Sequence, residues 1–273
     1  HLETRARRRP IRMTLPPALA ACAAIVEKGD PDRFAATMAA PPDLRLVLWP
    51  LYAFNLEVAR APYASTEPMV AEMRLQWWID QLDALAVGKR PEGSVAEALQ
   101  PLVFARPEVA PLLAAIAAAR RIECWPEPFE NSDALRAYLD QTAGNLTWAA
   151  TLLLGASSGD EKAIRQFGFA LGLANWFHAR PDLTRHNRLS LNDANDAAFI
   201  SLAKEGLTSY RRAAGLLKTV PASVVPALWT GWAAVTRLKA AAADPRRIEE
   251  GRLGPSELLR PLALMWRVLT NRI

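Results

Sequence analysis

No stretch of this chain alternates apolar and polar residues for long enough to make a convincing strand, which restricts the fold to helices. Its 51 alanines strengthen the restriction, because Ala is the best helix former. Breakers cut the chain into helical lengths: Gly29, the Pro41-Pro42 pair, Pro62, the Gly88 to Gly93 stretch, Pro126 with Pro128, Gly155 to Gly159, Pro181 and Pro221. Helices are expected at 15–28, 31–40, 42–61, 66–87, 94–104, 108–124, 131–155, 159–179, 194–219, 222–243 and 255–271. Asp30 ahead of Pro31 reads as an N-cap with Pro at the first helical position. Leu152 to Leu154 and Ala114 to Ala119 are nearly apolar all round, so their helices belong inside a large bundle. No internal repeat divides the chain, and residues 13–273 read as one domain.

Charge and cysteine content exclude several function classes. Of the net +5, +4 sits in His1 to Arg12, where Arg5, Arg7, Arg8, Arg9 and Arg12 face only Glu3. Residues 1–12 read as a vector-derived or basic extension ahead of Met13. Without them no basic stripe with interleaved aromatics remains, so nucleic acid is not an expected partner. Two cysteines, Cys22 and Cys124, make neither a disulfide scaffold nor a Cys-based zinc site. Arg120 and Arg121 stand near Cys124 and would favour its thiolate. No apolar run reaches the length of roughly 18 residues that a membrane-crossing helix needs. There is no Gly-rich phosphate loop, serine nucleophile elbow or dinucleotide fingerprint.

Four segments, in order, carry a resemblance. They are Leu51-Tyr52-Ala53-Phe54; Arg74-Leu75-Gln76-Trp77-Trp78 with Asp80 and Leu82; Tyr138 with Thr142-Ala143-Gly144-Asn145-Leu146; and Gly168 to Asn175 followed by Arg188-Leu189 and Leu191. Together they resemble the squalene/phytoene synthase family, over about residues 40 to 195. The resemblance implies an all-α, single-domain, isoprenoid-synthase-like bundle with a central cavity. It also implies two Asp-rich helical motifs that hold magnesium and, through it, prenyl diphosphates.

This chain departs from that pattern at the acids. Laid on the first motif, Ala59, Arg60 and Tyr63 take the acid positions, with Glu57 the one nearby carboxylate. Laid on the second, Ala179 and Leu183 take them, with Asn175 and His178 upstream and Asp182 adjacent. The helix is expected to break at Pro181. One carboxylate per helix makes a poor magnesium cage, so no metal or other cofactor is expected. The segment looks more like the degenerate branch that includes the mitochondrial complex I assembly factor.

The cavity or anion-binding candidates implied are Tyr52, Phe54, Arg74, Trp77, Tyr138, Asn145 and Arg188. Arg74, with Asp80 and Glu72, is expected on the helix lining the cavity, as a structural network. Glu57 and Arg60, three apart, would form a surface ion pair. Trp229 and Trp232 are either core anchors or an exposed apolar patch. Three functions follow. One is a protein that has lost prenyl transfer and binds a protein partner, an isoprenoid or lipid tail, or both, in respiratory-complex assembly. The second is an active prenyl transferase with altered metal or diphosphate recognition, in which magnesium is the cofactor or Arg60, Arg180 and Arg185 replace it as anion neutralisers. The third is a structural or membrane-surface helical protein that shares only the fold. The expected location is cytoplasmic, or peripheral on the matrix side of the mitochondrial inner membrane in a eukaryote.

Overall fold

A computed structural model describes residues 15–254 and 260–270. Residues 1–12, with their basic charge, lie outside the described residues, as does the start of the expected last helix. Among the described residues the chain is helical, with a single isolated parallel bridge between Phe129 and Leu191. The elements are α1 (Pro17–Gly29), α2 (Pro31–Met38), α3 (Pro42–Arg60), α4 (Pro68–Ala86), α5 (Ser94–Ala105), α6 (Val109–Ala119), α7 (Ser132–Leu139), α8 (Asn145–Leu153), α9 (Glu161–Arg185), α10 (Asp196–Leu216), α11 (Val225–Leu228), α12 (Ala234–Ala243), α13 (Arg246–Glu249) and α14 (Arg260–Thr270). The all-α bundle expected from the sequence is the fold observed.

Breakers act where the chemistry puts them, with three exceptions. Pro181 does not end α9, which runs on to Arg185. Proline removes one donor, and the turn carries on because His186 N still donates to Asp182 O at 3.2 Å. The expected 222–243 helix is instead α11, a 3₁₀ turn at Trp229–Gly231, and α12. There the Gly231 backbone takes the Phe167 ring so closely that a Cβ would lie 2.5 Å from it. The expected 131–155 helix carries a wide turn at Asp140–Gly144, with i to i+5 hydrogen bonding, between α7 and α8.

That wide turn sets the central packing. α9 crosses it with backbone nearly touching backbone, since a Cβ on Gly168 would fall 2.9 Å from Gly144 Cα and 3.0 Å from Ala143 O. α9 also packs on α8, α10 and α12 and is buried along most of its length. α3 is buried from Leu48 to Leu56 and packs on α1 and α5. Trp229 and Trp232 are core residues rather than a surface patch.

The Gly168 contact makes a stability prediction. Gly168→Ala should destabilise by about 1–3 kcal/mol, because backbone atoms cannot move aside. Gly215→Ala, in α10 with nothing within 4 Å, should be neutral or stabilise by about 0.5–1 kcal/mol. Thermal melts of the two variants check the opposite signs.

Candidate functional site

A cavity of about 510 Å³ opens among the junction of α1 and α2, α3, α7 with its wide turn, α9 and the approach to α12. It is neither collapsed nor simply apolar. Three arginines line it, Arg33, Arg120 and Arg237. Each meets a carboxylate.

The first pair arises at the α1–α2 corner. Asp30 caps α2 as expected, accepting from Arg33 N at 2.9 Å, and its second oxygen takes Arg33 Nη1 at 3.0 Å. The Arg33 guanidinium also lies over the Tyr52 ring, 5.0 Å from its centre. The second pair crosses the bundle: Arg237 of α12 donates to Asp32 at 2.9 Å and to Asn175 of α9 at 2.8 Å. The third is the most enclosed. Arg120, in the 3₁₀ turn after α6, donates to Glu123 at 2.7 Å, and Glu123 is 3% exposed. Tyr138 OH donates to the same carboxylate at 2.6 Å and Tyr63 OH at 3.3 Å, while Arg120 reaches Asn55 of α3 at 3.3 Å.

Electrostatics follow from this closure. Burial, reinforced by Glu123, pushes the Tyr138 and Tyr63 hydroxyls above the ordinary phenol range. Burial also works against the Arg120 charge, but Tyr138, Glu123 and Tyr63 outweigh it and hold its pKa above the usual value. Cys124 is the reverse of the sequence expectation. Burial raises its thiol to about 11, ahead of the opposing Arg188 and Arg121, so it stays protonated at neutral pH.

Of the residues the sequence singled out, Tyr138, Asn175, His178, Ala179 and Leu183 line the cavity. Tyr52 and Phe54 are buried and do not line it. Nor does Asn145, which accepts from Arg165 at 2.8 Å. Arg188 is half-buried and acts on Tyr63 and Cys124, without lining the cavity. Arg74 and Trp77 open outward, onto a second groove of about 620 Å³ shared with Glu57 and Arg60. α4 turns Leu75, Trp78 and Leu82 inward, which leaves Arg74 and Asp80 in solvent rather than in a cavity network. Asp80 instead accepts from Gln76, and Glu72 from the Trp125 indole at 2.8 Å. Glu57 and Arg60 form no ion pair with each other; the Arg60 guanidinium lies against Gly29.

The arginines expected to neutralise an anion do not converge. Arg180 is buried against Trp176 and Phe199 and pairs with Glu249 at 2.9 Å. Arg185 pairs with the exposed Asp182 on its own helix turn. Arg33, Arg237 and the role of Arg120 were missed from sequence. Their signal was the isolated Arg in the apolar 222–243 segment and the Arg-Arg-Ile-Glu run closing an otherwise apolar helix.

The donor set does not fit magnesium. Ala59, Tyr63, Ala179 and Leu183 supply no carboxylate, and Asp30 and Asp32, which do line the cavity, each face an arginine. Among the described residues no three His, Cys, Asp or Glu side chains group as metal ligands.

The family model described as squalene/phytoene synthase matches residues 26–193. The chain belongs to the squalene/phytoene synthase family. A dehydrosqualene synthase crystal structure superposes with a TM-score of 0.77 at 17% identity, over 93% of this chain and 96% of that one. Squalene synthase HpnC from Alicyclobacillus acidocaldarius superposes with a TM-score of 0.68 at 15% identity, over 87% and 95%. In sequence, the chain is 40% identical over 63 residues to a Drosophila melanogaster protein named NADH dehydrogenase (ubiquinone) complex I, assembly factor 6 homolog. That match spans 23% of this chain and 19% of the Drosophila protein.

The buried pair makes two predictions. Glu123→Ala should cost about 3–5 kcal/mol, because it strands Arg120 without its carboxylate; chemical denaturation measures it. Tyr138 loses its proton less readily folded than unfolded, so its contribution to stability is full below the unfolded pKa of about 10 and declines above it. Denaturation midpoints should therefore fall between pH 9.5 and 11, roughly bracketing that value, and fall less in Tyr138→Phe.

Proposed function

We infer that this member of the synthase family has given up prenyl transfer and works by binding, as an assembly factor for a membrane respiratory complex. The observation that carries the reading is charge pairing: each arginine lining the cavity meets a carboxylate of this chain. A diphosphate entering without metal would have to break such pairs, and the positions where the resemblance implies magnesium-binding acids carry Ala59, Arg60, Tyr63, Ala179 and Leu183.

The Drosophila relative named as a complex I assembly factor supports the assembly half of the reading. Its partner would be a protein subunit, with the cavity free to hold an isoprenoid or lipid tail. No cofactor is part of the reading. In a eukaryote the place of action would be the matrix side of the mitochondrial inner membrane.

Deleting the gene in its own cell should lower assembled respiratory complex I and leave squalene- and phytoene-type products unchanged. Purified protein given farnesyl or geranylgeranyl diphosphate, Mg²⁺ and NADPH should release no diphosphate above the protein-free rate. Turnover at an ordinary enzymatic rate, or loss of isoprenoid products on deletion, would overturn the reading.

A further inference from the structure

α14 has an apolar face on the wrong side for a helix that only packs. Leu264 and Val268 rest against the core. A second stripe faces water, with Leu262, Met265, Trp266 and Leu269 exposed by 53%, 52%, 63% and 74%. Their spacing, i, i+3, i+4 and i+7, gathers them on one side of the helix. Large apolar side chains gathered in one exposed stripe mark a contact surface.

The surrounding charge says what kind of surface would cover it. Over the described side chains Leu262 to Thr270 the one charged residue is Arg267, and there is no acid. Arg267 fastens α14 to α10: its Nη1 donates to Tyr210 OH at 2.6 Å, and its guanidinium lies over the Tyr210 ring. The chain next to Tyr210 exposes Arg211, Arg212 and Lys218, and among the described residues none of these forms an ion pair. An outward apolar stripe, on a helix tied through Tyr210 to a segment that carries exposed cations without ion pairs, complements an apolar layer topped by negative charge. A second copy of the chain would bring the same positive charge to the contact and be repelled.

We propose that α14, with Arg211, Arg212 and Lys218, is the site at which this protein docks on an anionic bilayer surface. α14 would lie in the interface, since among the described residues no helix is long and apolar enough to cross a membrane. This goes beyond the assembly reading and does not depend on the cavity.

The test is co-sedimentation of the full chain with vesicles of phosphatidylcholine alone or mixed with phosphatidylserine. Binding is expected to the mixed vesicles and to weaken with salt. Trp266→Asp with Leu269→Asp should lower it at least about tenfold, with the helical circular dichroism and melting temperature kept, since both side chains are exposed. Arg211→Glu with Arg212→Glu should weaken binding to mixed vesicles, leaving the stripe intact. The proposal is overturned if wild type does not bind mixed vesicles or the apolar double variant binds them equally well. It is also overturned if wild type sediments as a dimer that the double variant loses, with no vesicle binding, which would put a second copy on the stripe.

Discussion

An arginine inside a protein must be paired, and this requirement governs how the polar part of the cavity wall is built. Arg33, Arg120 and Arg237 come from three distant parts of the chain and reach the same space. Each is met by an acid: Asp30 from the preceding corner, Glu123 from the same turn, Asp32 from across the bundle. Asn55, Asn175 and Tyr138 take further hydrogen bonds, so α3, α7, α9 and α12 are tied together through the pairs. The wall mixes apolar and polar side chains, and the carboxylate that meets each arginine weakens the attraction a diphosphate would feel there.

The family fold explains why such a cavity exists at all. Gly168 lets α9 run against the wide turn at 140–144, and Gly172, one turn on, admits Ala143 where a Cβ would lie 2.6 Å away. Both glycines belong to the segment that carries the resemblance, and they do their work through backbone approach, with no chemistry. A framework held by such contacts does not depend on which side chains stand at Ala59 and Ala179, whereas Gly168 affects whether the helices can meet.

Much of this was legible in the sequence. Helix periodicity, the Asp30 cap and the breakers at Gly29, Pro41-Pro42 and Gly155 marked most elements, and Tyr138, Asn175, His178, Ala179 and Leu183 were identified and do line the cavity. What was not legible depended on contacts between distant segments. Arg237 and Asp32 lie 205 positions apart, and nothing local to either names the other. Pro181 has the local signature of a helix end, yet the bundle around α9 carries the helix past it. Arg180 reads as a cavity cation beside Ala179, but at about 100° per residue it turns instead to Trp176, Phe199 and Glu249.

If the cavity's charges satisfy one another, no seat remains for a metal-bound diphosphate. Calorimetric titration with a non-hydrolysable prenyl diphosphate analogue, with and without Mg²⁺, is the decisive measurement. The same weak or absent binding is expected in both titrations. Tight binding that requires Mg²⁺ would show that the pairs yield to a metal-bound ligand.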